Sequence, residues 1–212
     1  MTPVLVAELA SEHSQENVLR AIAHEIRQPL SAIESISYYL SLVVPDDDTH
    51  REQLKRIRQL VEQSNWILSN GLSLTDPRPA APETADLHEL LAQALSSRPL
   101  LTDPPFKCDL ASALPFAHLD PAYGRALIEN LLGLFRQLAT DTHPALLRTA
   151  AAGNGVELQI STAAPGYRSV ATLPPGAELS LDCVRHVAIL HRGSCNYSID
   201  PVSGIRVRVM LP

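Results

Sequence analysis

A heptad repeat of apolar residues runs along the first part of the chain. The repeat alternates gaps of three and four residues through Leu19, Ile22, Ile26, Pro29, Ile33, Ile36, Leu40 and Val43. This spacing gathers the residues into one narrow seam on a helix, which is typical of helices that pack side by side. The repeat therefore predicts a long helix with a partner helix along its seam.

The residues after this repeat predict a second helix. Pro45–Thr49 contains three aspartates and has the character of a turn followed by a helix cap, where acidic side chains are favourable. Apolar residues then continue at helical spacing to about Leu74, at positions that include Leu54, Ile57, Val61 and Leu68. Because two helices bury too little apolar surface to be stable alone, we expect the hairpin to pair with a second copy.

His24 lies on the side of the first helix opposite the seam. At about 100° per residue it is roughly 160 to 200° from the seam residues, so we expect it to face solvent. Pro29 removes the amide that would bond the Glu25 carbonyl, which predicts a bend just after the His24–Glu25 pair. A proline costs about 3 kcal/mol in a helix interior. Its position beside an exposed histidine favours a functional site over a merely solvated side chain.

The segment His24–Leu30, HEIRQPL, resembles the phosphoacceptor box of sensor histidine kinases, His-Glu-(Ile/Leu)-Arg-x-Pro-Leu. The resemblance implies that two hairpins dimerise into a four-helix bundle and that His24 is the phosphorylated residue. It also implies that Glu25 orients His24 and accepts its proton. Neutral imidazole is a nucleophile, and phosphohistidine is a reactive intermediate that can pass its phosphoryl group onward.

Other residues near this box have predicted supporting roles. Arg20 and Arg27 lie near the same face, where they would steady phosphate oxygens or simply aid solubility. Gln28 occupies the position where the family often carries Thr or Asn for dephosphorylating a partner, so the resemblance does not predict phosphatase activity. On the second helix a basic stripe, defined as Arg51, Lys55 and Arg58, is either a solvated face or a docking surface for an acidic receiver domain.

A proline-rich segment separates the hairpin from a second domain. We predict the phosphoacceptor hairpin over residues 1–75, a linker over 76–84 and a second domain over 85–212. In the second domain, helices alternate with antiparallel strand pairs, which indicates an α+β sandwich. The predicted helices cover 87–97, 121–139 and 177–191, and the predicted strands cover 106–110, 116–119, 145–151, 156–162, 194–199 and 205–211.

From about Leu87 to Pro212 the chain resembles the ATP-binding domain of histidine kinases, with a degenerate nucleotide site. The family's Asn-Leu-Leu-x-Asn-Ala box is matched by Asn130, but Leu134 stands where the second Asn would hold magnesium, which leucine cannot ligate. In the Asp-x-Gly-x-Gly box, Thr162 replaces the adenine-binding Asp, and Gly166 is the one glycine retained.

The family's Gly-Leu-Gly-Leu box is also altered. It is replaced by Glu178-Leu179-Ser180-Leu181, so Glu178 and Ser180 stand where glycines would let backbone amides approach phosphates. Glu178 would repel a triphosphate, and about a dozen residues between Gly166 and Glu178 are too few for the usual ATP lid. We therefore expect no productive ATP binding and no cofactor bound by this chain.

Composition limits the remaining function classes. The 212 residues are 45% hydrophobic and 19% charged, which suits two small domains. A net charge of −6 offers no basic field for nucleic acid, and no apolar run approaches the roughly 18 residues of a membrane span. With no secretory signal visible, a cytoplasmic protein is predicted. Three widely spaced cysteines and no ligand spacing predict buried or partly buried thiols and no metal site.

The leading hypothesis is a dimeric histidine phosphotransferase that relays phosphate between receiver-domain aspartates through His24. The receiver would supply magnesium, and the expected partners are response-regulator receiver domains and a hybrid histidine kinase. One alternative is a divergent histidine kinase that phosphorylates His24 from ATP. Another is a dimeric adaptor that holds signalling partners without phosphoryl transfer.

Overall fold

A computed structural model describes residues 3–45, 47–75, 79–96 and 106–212, with the side chains of the first helix described from residue 18 onward. The chain divides into two compact units, Met1–Pro77 and Arg78–Pro212, which we describe separately. The described residues form an α+β architecture with five α-helices and a mixed sheet, which confirms the predicted fold class.

The first unit is a helical hairpin of α1 (Pro3–Val43) and α2 (Asp48–Leu74). Asp47 caps α2 because its side chain accepts a hydrogen bond from the His50 amide at 2.8 Å. The predicted cap and the predicted end of the second helix are confirmed, while Asp46 of the predicted turn lies outside the described residues. No helix in the described part of the chain combines the length and apolar character that crossing a membrane requires.

The two helices do not pack through the predicted seam. Among the described side chains, those buried on the hairpin are Ala23 and Ser37 on α1 and Leu54, Val61 and Asn70 on α2. The predicted seam stays uncovered in the single chain, with its isoleucines between 41% and 58% exposed. Thus α2 covers a neighbouring stripe of small residues, and the seam remains available for another helix.

The second unit is a sandwich of three helices on a sheet. Its elements are β1 (Glu83–Ala85), α3 (Leu87–Ser96), β2 (Phe106–Asp109), β3 (Ala117–Leu119), α4 (Pro121–Leu138), β4 (Ala145–Ala152), β5 (Gly155–Thr162), a 3-10 helix (Val170–Thr172), α5 (Ala177–Leu190), β6 (Ser194–Asp200) and β7 (Gly204–Leu211). Five strands form a sheet in the order β2-β4-β5-β7-β6, in which only the β2–β4 pair is parallel. The predicted helices and strands match these elements to within one or two residues, except that Ser97 lies outside the described residues.

One face of the five-stranded sheet is covered by helices. Helices α4 and α5 contact the sheet, and α3 packs against α4. Along each central strand buried and exposed residues alternate, as in β7, where Val207 and Val209 are fully buried while Arg206 and Arg208 are exposed. The core of the domain therefore lies between this face and the three helices, and the other face is open to solvent.

The predicted linker is too long at its C-terminal end. Glu83–Ala85 forms β1, which pairs antiparallel with β3, and the Ala81 amide donates to the Asp120 carboxylate at 3.0 Å. The ordered domain thus begins before Ala85, because this segment is bonded to the start of α4. Residues 76–78 of the predicted linker lie outside the described residues.

The three cysteines should differ sharply in reactivity. Burial raises the pKa of the Cys183 thiol to about 12 and that of Cys195 to about 11, whereas Cys108 on β2 is exposed, contrary to the prediction. Thiolates are the reactive species, so at about pH 8 we expect the folded protein to react rapidly with a disulfide reagent at Cys108 alone. Cys108→Ser should abolish the rapid phase, and unfolding in guanidinium should expose the remaining thiols. Rapid labelling of Cys183 in the folded protein would contradict the described burial.

Candidate functional site

His24 is exposed on α1, as the helical phase predicts. Its Nε2 atom lies 3.3 Å from the side-chain amide nitrogen of Gln28, one helical turn further along. An amide NH2 group only donates, so Nε2 accepts this hydrogen bond through its lone pair. In a neutral ring this pairing is a hydrogen bond only when the ring proton is on Nδ1 and the lone pair is on Nε2.

The acidic neighbour of His24 is placed differently. Glu25 is exposed, but among the described side chains it makes no hydrogen bond with His24. Successive residues on a helix point about 100° apart, so an adjacent carboxylate does not face the ring without a change of rotamer. The structure therefore brings Gln28, and not Glu25, to the imidazole.

The two arginines near the box also differ in position. Arg27 is partly buried and donates from Nη2 to the Ser69 hydroxyl at 3.2 Å, which links α1 to α2. Arg20 is exposed, one turn before His24. The Arg27 guanidinium therefore has a partner within the hairpin, and Arg20 is the more exposed of the two arginines.

Pro29 lies inside a continuous helix. α1 runs without a break from Pro3 to Val43, with Pro29 exposed on it. Since proline has no amide hydrogen, the Glu25 carbonyl lacks its usual helical donor, and this gap in the helical hydrogen bonding lies next to His24.

The basic stripe lies near the turn of the hairpin. Arg51 pairs with Asp48 at 2.9 Å, the Arg58 Nε donates to the Leu54 carbonyl at 3.4 Å, and Lys55 is exposed. The Arg27–Ser69 bond shows which part of α2 lies beside the phosphoacceptor box. At 1.5 Å per residue, Lys55 is about 20 Å along α2 from Ser69. The stripe is thus on the hairpin but well removed from His24.

In the second domain, the position predicted for magnesium is part of the core. Leu134 on α4 is only 1% exposed, next to the fully buried Phe135. One turn earlier, Asn130 is buried, its amide nitrogen donates to the Ala126 carbonyl at 2.9 Å, and its Oδ1 has no hydrogen-bond partner. The predicted metal position is thus occupied by an apolar side chain, and the side-chain amide of Asn130 donates a hydrogen bond within α4.

The side chain at the position predicted for the adenine-binding carboxylate makes a hydrogen bond within the protein. Thr162 is buried at the end of β5, and its hydroxyl donates to the His143 carbonyl at 2.9 Å. His143 belongs to the turn between α4 and β4, where its backbone exchanges hydrogen bonds with Thr140. Gly166 is exposed with φ of +101°, a conformation that favours glycine.

The altered phosphate box forms the start of α5. Gly176 precedes the helix with φ of +85°, Glu178 is exposed in the first turn, and Ser180 is fully buried. A carboxylate in a first turn interacts favourably with the helix dipole, and it repels phosphate at the same place. The side chain of Ser180 also occupies space that a glycine at this position would leave open for a phosphate to approach the backbone.

Three of these positions carry side chains that differ from the ligands the resemblance assigns to a magnesium–nucleotide complex. Leu134 offers no oxygen, the Thr162 hydroxyl already donates to the protein, and Glu178 carries the wrong charge for phosphate. Within the described residues, no group of three or more His, Cys, Asp or Glu side chains is arranged to hold a metal ion.

The sequence is similar to those of known bacterial sensor proteins. No family model matches the chain. It is 25% identical to the sensor protein KdpD of Escherichia coli (strain K12), over 97% of this chain and 25% of that protein. It is 24% identical to the sensor histidine kinase ZraS of Escherichia coli O157:H7, over 90% of this chain and 44% of that protein. The chain thus spans less than half the length of these relatives.

Comparison with solved structures identifies the same fold. Full-length ShkA in complex with AMPPNP superposes with a TM-score of 0.62 at 18% identity, over 92% of this chain and 45% of that one. The Acinetobacter baumannii histidine kinase AdeS superposes with a TM-score of 0.56 at 16% identity, over 89% of this chain and 96% of that one. The predicted resemblance is confirmed: the chain is similar in sequence to sensor histidine kinases, and it shares with the two solved structures the fold of a helical hairpin followed by an α/β domain.

Proposed function

We propose that this chain is a two-component phosphorelay protein whose His24 receives its phosphoryl group from a receiver domain, and not from ATP bound by its own second domain. The observation that carries the proposal is Leu134, which is 1% exposed in the domain core where the family has a magnesium ligand. The internal bond of Thr162 and the carboxylate of Glu178 support the same conclusion. In this proposal the second domain is a structural and docking module.

The proposed reaction consists of two phosphoryl transfers. The Nε2 lone pair of His24 attacks the phosphorus of a receiver's aspartyl phosphate, a P–N bond forms, and the P–O bond breaks with its electron pair moving to the aspartate. A carboxylate oxygen of a second receiver then attacks, and the P–N electron pair returns to Nε2. Each receiver holds the magnesium that neutralises charge on the transferred group. We assign Glu25, exposed and adjacent in sequence, the role of accepting the Nδ1 proton once Nε2 is phosphorylated.

The proposal includes a homodimer. Ile22, Ile26, Ile33 and Ile36 lie on the uncovered seam of α1 at 48%, 41%, 44% and 58% exposure. A continuous row of exposed isoleucines is unusual on a monomer and marks a surface that another helix covers. Pairing with a second hairpin would complete a four-helix core and leave both His24 side chains on its outer surface.

A second candidate function is an ATP-dependent histidine kinase. The relatives favour it, because KdpD and ZraS are named sensor proteins, ZraS is named a histidine kinase, and ShkA was solved in complex with AMPPNP. In that case ATP would have to bind with Leu134 and Glu178 in place, and His24 would be labelled without any receiver.

Two labelled donors distinguish these candidates. The purified chain is incubated with Mg-ATP labelled on the γ-phosphate, and separately with a panel of receiver domains labelled on their aspartates with ³²P. We expect acid-labile label from at least one receiver, none from ATP, and complete loss of label in His24→Ala. His50→Ala, which removes another exposed histidine of the hairpin, should retain labelling.

Two other outcomes would contradict the proposal. Acid-labile label on His24 from ATP alone would identify a kinase. Receiver binding with no phosphohistidine from either donor would identify an adaptor.

A further inference from the structure

We propose that Gln28 is a positioning residue that selects the nucleophilic tautomer of His24 and then holds the phosphoryl group on Nε2. This inference rests on the proposed function, because it assigns Gln28 a role in the chemistry of that histidine. It starts from the 3.3 Å contact between the Gln28 amide nitrogen and His24 Nε2. Both side chains are exposed, so the contact arises from their spacing on α1 and not from burial.

The chemistry of the two groups determines the tautomer. The amide nitrogen carries two hydrogens and has no acceptor lone pair, so it bonds only an Nε2 that lacks a proton. Each time this bond forms, the ring proton is placed on Nδ1 and the lone pair on Nε2. An incoming phosphorus therefore meets a nitrogen that needs no prior deprotonation. The bond must open for attack, which costs little because the amide is in water.

The same amide has a second use after transfer. Once Nε2 carries the phosphoryl group, the lone pair is consumed, and the nearest acceptors for the Gln28 amide are the phosphoryl oxygens. Hydrogen bonds to such charged oxygens are stronger than those between neutral groups. Gln28 is neutral, so it adds donors without repelling the dianion, whereas a carboxylate of the same shape would favour a proton on Nε2 and repel phosphate.

Tautomer populations test the first step without any phosphoryl donor. The chain labelled with ¹⁵N in histidine is measured by two-bond ¹⁵N–¹H correlation, and His24→Ala identifies the His24 signal. We expect the Nδ1–H form in the native protein, the Nε2–H form in Gln28→Glu, and a mixture in Gln28→Leu. The same charge change at an exposed glutamine on α2, Gln59→Glu, should leave the His24 signal unchanged. A native His24 in the Nε2–H form, or one insensitive to both Gln28 substitutions, would overturn the proposal.

The lifetime of phosphohistidine tests the second step. His24 is phosphorylated with phosphoramidate, a small-molecule donor that needs neither ATP nor a receiver, and hydrolysis is followed by ³¹P NMR. Losing one hydrogen bond should make hydrolysis between about twofold and tenfold faster in Gln28→Leu, and faster still in Gln28→Glu. Equal lifetimes in the native protein and Gln28→Leu would overturn this step. If no receiver exchanges phosphate with His24, the proposed function fails while both measurements still decide the role of Gln28.

Discussion

Ile33→Asp should convert the proposed dimer into monomers. Ile33 lies on the uncovered seam of α1 and is 44% exposed in the single chain, so the proposed pairing would bury it. Each dimer would then enclose two carboxylates without partners, and an unpaired charge in an apolar interface costs several kcal/mol. A loss of about 4 kcal/mol weakens association roughly a thousandfold. Sedimentation equilibrium across a concentration series measures the dissociation constant of the dimer directly.

A matched substitution separates the position from the charge. Ser31 is exposed two residues earlier, on the side of α1 that carries His24, so Ser31→Asp adds the same charge away from the seam. This variant should remain dimeric. If Ile33→Asp retains the mass and melting temperature of the native protein, the proposed pairing through the seam is wrong.

The elements of the second domain follow from local signals, and for that reason they could be predicted. Asp120–Pro121 is a cap followed by a first-turn proline, and alternating residues define β5 and β7. β1 could not be found in this way. Its three residues are too few to show alternation, and it exists because it pairs with β3, which is distant in sequence.

The packing of the hairpin could not be predicted from the sequence, for a different reason. Large apolar residues define the seam, so the sequence pattern predicts helix packing on the face that α2 does not cover. The stripe that α2 does cover includes Ala23 and Ser37, which carry almost no hydrophobic signal although they are 3% and 1% exposed. Close approach of two helices selects small side chains, and a search for apolar residues overlooks them.

The face of α1 that carries His24 was predictable only in part. Helical phase alone places His24 in solvent and Gln28 on the same side. That their side chains share a hydrogen bond depends on rotamers, which the spacing permits but does not dictate. The role of Arg27 depends on tertiary structure in the same way, since Ser69 reaches it from the other helix.

Leu134→Asn, which restores the family's magnesium ligand, should destabilise the second domain and still not create an ATP site. Leu134 is 1% exposed, so the substitution removes buried apolar volume. It also places a side-chain amide in the core with no hydrogen-bond partner provided for it. Together these effects cost about 3 to 5 kcal/mol. The melting temperature of this domain should fall by about 10 to 20 °C, as measured by calorimetry.

The control for this substitution is Leu134→Met, which keeps the volume and apolar character and should cost less than about 1.5 kcal/mol. Titration calorimetry should detect no Mg-ATP binding to either variant, because Glu178 and the internally bonded Thr162 remain. A stable Leu134→Asn protein that binds Mg-ATP would show that position 134 faces a usable nucleotide site. His24 would then have its own donor in the same chain, and the relay from another protein would lose its main physical support.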